Sequence, residues 1–137
     1  MRIPVLLPFL LALMLALAGR PADAQETGPG EIVSRQFDAF RADDLDTAFS
    51  YASPMIQGYF RTPEVFGRMV AQGYAMVRNP GQVRLLDLRE EAGRLVQRVE
   101  VIDRKGVLHL LDYQMIETEE GWKINGVTYV EAPPVAV

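Results

Sequence analysis

The sequence predicts an α+β domain: N-terminal helices packed on one face of a curved four-stranded antiparallel meander, after a cleaved signal peptide. Three observations carry that prediction. Apolar residues between Glu31 and Tyr74 recur at spacings of three and four, the period of a helix, whereas after Gly81 they recur at two, the period of a strand. Three connectors, Glu91-Ala92-Gly93, Arg104-Lys105-Gly106 and Glu119-Glu120-Gly121, each end in a glycine where a hairpin loop requires positive φ. Between the two halves stands Asn79-Pro80-Gly81, which ends the helical part because a residue before proline avoids the helical region.

In chain order, Met1–Arg2 and the apolar run Val5–Ala18 match the charged and hydrophobic regions of a signal peptide, and the run is shorter than the ~20 residues a membrane span needs. Ala22-Asp23-Ala24 supplies a small-x-small cleavage pattern, with Ala16-Leu17-Ala18 as a second one inside the apolar run. Cleavage after Ala24 takes 24 residues from 137 and leaves 113, with net charge −5; an uncleaved N-terminal anchor is the alternative. Residues 25–30, rich in glycine and carrying Pro29, read as a flexible leader, 31–130 as the single domain and 131–137, with Pro133-Pro134, as a tail. Val33, Phe37 and Phe40 mark one face of a first helix. Asp43 or Asp44 caps a second one, with Leu45, Ala48, Phe49 and Ala52 on its apolar side. Ser53-Pro54 and Thr62-Pro63 each combine a capping hydroxyl with a proline at the first helical position. The second pair opens a third main helix with Val65, Phe66, Met69, Val70 and Tyr74 on its apolar side. The strands follow over Gln82–Glu90, Arg94–Asp103, Val107–Thr118 and Trp122–Val130. The third is apolar on both faces, through Leu108, Leu110 and Ile116 on one and Leu111, Tyr113 and Met115 on the other. That pattern fits a central strand, or one covered by a second copy in a homodimer.

Composition removes several function classes. No cysteine is present, which excludes disulfides, thiolate catalysis, cysteine-based metal centres and a lipoprotein anchor. A single histidine, His109, is too few for a histidine-rich metal site. The balance of 14 basic against 18 acidic residues lacks the basic footprint of a nucleic-acid binder. Export without disulfides points to a periplasmic or secreted setting in which core packing holds the fold.

The run Ala39-Phe40, Asp43-Asp44, Ala48-Phe49, Tyr51-Ala52-Ser53-Pro54, Ile56-Gln57 and Phe60, continued by Pro63, Phe66, Met69-Val70, Tyr74 and Val77, closes with Gly121-Trp122-Lys123-Ile124-Asn125-Gly126-Val127. These residues resemble a family of small secreted bacterial proteins known as a domain of unknown function, of the DUF4864 type. That family looks like an offshoot of the nuclear-transport-factor-2-like (SnoaL-like, cystatin-like) superfamily. The resemblance spans about Ile32 to Val130 and implies a cone, a bent sheet wrapped around helices with a pocket at its open end. It also implies frequent dimers and a superfamily that mixes isomerases, cyclases and dehydratases with non-catalytic binding modules, so fold alone does not assign function. No carboxylate here aligns with the enzymes' catalytic base.

Five residues are candidates for contact with a ligand in such a pocket: Tyr59, Tyr74, His109, Asp112 and Tyr113. The tyrosines, with Tyr51, combine apolar rings with hydroxyls that orient a ligand, although buried tyrosines also serve as plain core residues. His109 is of the residue type that serves as a general base, but no partner stands at a spacing that demands one, so a hydrogen-bonded pocket or surface histidine is the plainer reading. Asp112 alternates with Leu110, Gln114 and Ile116. On an apolar face it would hold a raised pKa; the plainer expectation is a salt bridge to a strand arginine such as Arg98. Asp43, Asp44 and Asp46 lack the spacing of a calcium loop and read as helix capping. The expectation is thus an exported, non-catalytic module binding a small apolar ligand or a protein partner, without cofactor, metal, nucleic acid or, once the leader is cleaved, membrane. An acid–base enzyme using Asp112 or His109 with a tyrosine is the alternative, and a structural homodimer without a pocket is a third reading.

Overall fold

The structure, a computed structural model, describes residues 27–131. The expected signal peptide and all but the first residue of the tail lie outside the described residues. Five helices precede one sheet: α1 (Pro29–Arg41), α2 (Leu45–Ser50), α3 (Pro54–Phe60), α4 (Pro63–Gly73) and α5 (Ala75–Arg78), then β1 (Pro80–Glu91), β2 (Arg94–Asp103), β3 (Leu108–Thr118) and β4 (Gly121–Tyr129). The strands lie antiparallel in the order β1-β2-β3-β4. The α+β meander expected from the sequence is therefore the observed fold.

The helix starts are set by local side chains. Asp44 accepts a hydrogen bond from the Thr47 N–H at 3.1 Å, Ser53 from Ile56 at 3.3 Å and Thr62 from Val65 at 3.2 Å. Each bond satisfies an N–H that the first helical turn leaves free. Helix α1 starts earlier than its apolar period suggests, at Pro29, whose fixed φ suits a first turn after the extended Gly28. The last two residues of the expected leader, Pro29 and Gly30, are therefore helical.

The third main helix was expected to run through Tyr74 but ends at Gly73. Tyr74 breaks it with φ −141° and ψ 56°, and the short α5, which no sequence signal marked, follows. Two tertiary contacts account for the break. The Tyr74 hydroxyl donates to the Val127 carbonyl at 2.9 Å, and its ring stacks on Tyr129 with centroids 5.1 Å apart. Val65, expected on the apolar side, is exposed, and the buried stripe of α4 is Phe66, Gly67 and Val70.

All three hairpin glycines take positive φ: 77° at Gly93, 83° at Gly106 and 101° at Gly121. The first loop is shorter than expected. Ala92 at φ 52° and Gly93 form a two-residue turn whose twist matches the strands, at the cost of holding an alanine in a region it disfavours. Pairing slips between Leu85 and Leu88, a β-bulge. The buried Gln97 amide spans it, donating to the carbonyls of Leu86 at 3.0 Å and Arg98 at 2.9 Å, so the carbonyl freed by the bulge has a partner.

Beneath the helices, Val33, Phe37 and Phe40 of α1 meet Val99, Val101, Leu111 and Tyr113 of the central strands, all of them essentially inaccessible. Between α2 and α3 the chain pairs with β4. The Ser53 N–H donates to the Ile124 carbonyl at 2.8 Å, and the Ile124 N–H donates to the Tyr51 carbonyl at 2.9 Å. This contact protects an edge that would otherwise present free backbone groups. On the far face of β3, Leu108 is exposed while Leu110 and Ile116 are half-buried.

Candidate functional site

The alternation of β3 sends its candidate residues to opposite sides. Asp112 lies on the face away from the helices, directly opposite Arg98 of β2. Arg98 Nε donates to Asp112 Oδ1 at 3.0 Å, and an Arg89 guanidinium nitrogen donates to Oδ2 at 2.8 Å. Burial pushes the Asp112 pKa up, but the hydrogen bonds from Arg98 and Arg89 outweigh it and hold the carboxyl below its usual range. The expected salt bridge to Arg98 is present and shared with Arg89. A raised-pKa carboxylate, the other expectation at this position, is overturned because those two guanidiniums stabilise the charged form.

His109 lies on the helix-facing side at the far end of β3, where its Nε2 stands 2.9 Å from Asp103 Oδ2. Asp103 also accepts from the N–H groups of Lys105 at 2.8 Å and Val107 at 2.9 Å, so it organises the β2–β3 turn. The His109 hydrogen bond, followed by that from Val107, holds the Asp103 carboxyl below its ordinary value. The partner that spacing alone did not single out is supplied by the hairpin, which folds residue 103 back onto residue 109. Tyr59 is 80% exposed on α3 and packs edge-on against Phe60, away from the interior. Of the five candidates, the structure brings together only Tyr74 and Tyr113.

Those two line a cavity of about 310 Å³ between the helices and the sheet. Helix α1 contributes Gln36, α3 contributes Ile56 and Phe60, and α4 contributes Phe66, Met69 and Val70. Val77 of α5 and the segment Ile124–Val127 of β4 complete the lining with the two tyrosines and Ala52. Phe49, Phe60 and Phe66 form an aromatic cluster on the helical side, with centroids 5.2 Å and 5.9 Å apart for the pairs sharing Phe66. Among the described residues no charged side chain lines the cavity. Its size and mostly apolar wall fall within the lower range of small-molecule sites.

Polar groups at the wall are few and mostly engaged. The Gln36 amide nitrogen donates to the Ala48 carbonyl at 3.1 Å, the Asn125 side-chain oxygen accepts from the Ser53 hydroxyl at 2.8 Å, and the Tyr74 hydroxyl is held by Val127. Tyr113 differs. Its side chain is fully buried, tilted against Phe37 at 6.0 Å, and its hydroxyl has no hydrogen-bond partner among the described residues. Burial, reinforced by the nearby Tyr74 oxygen, pushes its pKa far above the ordinary phenol value of 10.0. Tyr113 is thus a neutral donor at all physiological pH values and not a base.

Sequence reasoning named Tyr74 and Tyr113 but not the rest of the wall. Ile56, Phe60 and Met69 carried only the signal of helical apolar positions, which core residues share. Gln36 and Asn125 carried none, since both meet the cavity through contacts between segments distant in the chain.

Among the described residues no helix is long and apolar enough to cross a membrane, and no cluster of histidine, aspartate and glutamate could hold a metal ion. The curated proteins and the solved structures searched give no match. The model of one family, described as a domain of unknown function (DUF4864), matches residues 22–137, and the chain belongs to that family.

Proposed function

We propose that this member of the DUF4864 family is a non-catalytic module that binds a small apolar ligand in the cavity beneath its helices. The observation that carries the reading is a largely apolar cavity of about 310 Å³ whose wall, among the described residues, holds no charged side chain. An acid–base enzyme needs an ionisable group at the reacting centre. Asp112 is held by two arginines on the opposite face and His109 by Asp103 at the β2–β3 turn, and neither lines the cavity. This distribution favours binding over the isomerase, cyclase or dehydratase alternative.

The reading extends to setting and ancestry. Ala22-Asp23-Ala24 after an apolar run supports export to the periplasm or beyond, and helices laid over an antiparallel meander support a nuclear-transport-factor-2-like origin. Leu108, Leu110 and Ile116 on the outer face support a homodimer joined through the sheet.

Native mass spectrometry of the full chain, expressed with its leader in a host that exports it, tests the proposal. The expected spectrum shows a chain beginning at Gln25 with a small-molecule adduct that denaturing conditions remove. A chain without adduct whose melting temperature ignores a saturating apolar probe such as naphthalene would sink the binding function. Retention of Met1 would sink the export reading alone.

A further inference from the structure

We infer that α3 is the gate of the cavity: it unwinds locally while Ser53 stays in place, lets the ligand pass Ile56 and Phe60, and is held closed by the ligand once bound. The inference rests on the binding function proposed above and adds how its site opens.

Packing singles out this helix. Among the described residues α3 is the one helix with no buried residue, although Ile56 and Phe60 form part of the cavity wall. Met55 and Tyr59, its other large apolar residues, are 63% and 80% exposed. A helix of seven residues is too short to stand without tertiary support, and Gly58 near its middle weakens it further. Local openings concentrate in such elements, where few apolar groups are buried.

The two ends of α3 are held differently. At its start Ser53 is inaccessible; its N–H donates to the Ile124 carbonyl at 2.8 Å and its hydroxyl to Asn125 Oδ1 at 2.8 Å. Gln57 Nε2 adds a bond to the Ala52 carbonyl at 2.9 Å. At the other end the Thr62 N–H donates to the Phe60 carbonyl at 2.9 Å, which closes a tight turn centred on Arg61. Arg61 there takes φ 69° and ψ −41°, close to the γ-turn form that is rare and strained for a residue with a Cβ. Unwinding from this end releases the strain and leaves the contacts of Ser53 with β4 intact. Phe60, packed edge-on against Phe66 with centroids 5.9 Å apart, is the wall residue that departs first. A ligand touching Ile56 and Phe60 favours the closed helix, because the open form lacks that part of the wall.

Hydrogen exchange and stopped-flow binding of naphthalene, on the full chain and two variants, test the gate. In the unaltered chain the α3 amides should exchange at least about tenfold faster than those of α1 and α4. Naphthalene at ten times its Kd should slow them about tenfold. At Gly58 an added Cβ would meet no heavy atom within 4 Å, so Gly58→Ala strengthens the helix without a clash. It should slow α3 exchange, naphthalene binding and naphthalene release each about fivefold, with affinity unchanged. Arg61→Gly, which relieves the turn in the closed form, should slow all three in the same direction. Amides of α3 that exchange no faster than those of α1 and α4, or that naphthalene leaves unprotected, would overturn the gate. So would naphthalene rates that neither substitution slows. A chain that binds no naphthalene at all would overturn the binding function instead.

Discussion

Asp112 and Tyr113 are adjacent in the chain, and the two faces of the sheet give them opposite chemistry. On the outer face two arginines surround the carboxylate and favour its charge. On the helix-facing side an apolar cavity and a packed phenylalanine disfavour any charge on the phenol. A one-residue step along a strand turns a side chain through the sheet, so neighbours in sequence never share a site. The comparison teaches that a list of reactive residue types becomes a site only after the faces are assigned. The acid and the hydroxyl that an isomerase would need together are separated by the sheet itself.

The largest expected effect contrasts another adjacent pair on the same strand. Leu111 is inaccessible and faces the helices, whereas Leu110 is half-buried on the outer face. Leu111→Ala should cost about 2–5 kcal/mol in urea unfolding through lost burial and a residual cavity. Leu110→Ala should cost about 1 kcal/mol or less. Equal losses would mean that the outer face is as tightly packed as the core.

Next comes the turn that keeps β4 in register with β3. Gly121 holds φ 101°, and a Cβ placed there would meet no heavy atom within 4 Å. Gly121→Val should therefore destabilise for conformational reasons alone, by about 1–3 kcal/mol. An unchanged melting temperature would show that the turn relaxes to another type.

Acidity separates the faces more finely. Asp112 has its folded pKa below the ordinary 3.8, so its contribution is present above that value and is lost as pH falls through the lowered one. Tyr113 has its folded pKa above the ordinary 10.0, so its contribution is present below that value and is lost as pH rises beyond it. Melting temperature against pH should therefore fall at both ends. Asp112→Asn should soften the acid limb and cost about 1 kcal/mol near neutrality, and Tyr113→Phe should soften the alkaline limb. An acid limb that Asp112→Asn leaves untouched would assign that limb to other carboxylates, of which Asp103 and Asp44 also have lowered values.

The smallest effect on stability concerns assembly. If the outer face joins two copies as proposed, sedimentation equilibrium at micromolar concentration should give twice the chain mass. Leu110→Lys should return it to one while leaving the fold intact. A single-chain mass for the unaltered protein would reject the dimer.

Local rules made much of the fold legible. The caps at Asp44, Ser53 and Thr62, the prolines after two of them and the three hairpin glycines act over no more than four residues, and each lies where its side-chain chemistry directs. The strand boundaries follow from those turns to within two residues. What the sequence by itself determined is therefore the order, type and limits of nearly every element, because those depend on short-range hydrogen bonding and backbone preference. Only the tertiary structure decided which face of β3 meets the helices, since both are apolar in sequence. It also decided that Tyr74 breaks its helix to reach Val127, and that Asp103 rather than a more distant residue partners His109. The cavity belongs to the same class. Its wall is drawn from all helices but α2 and from two strands, and the missing partner of Tyr113 is a property of what packs around it. Pairing and enclosure depend on register and on contacts between distant segments, and no local pattern encodes either.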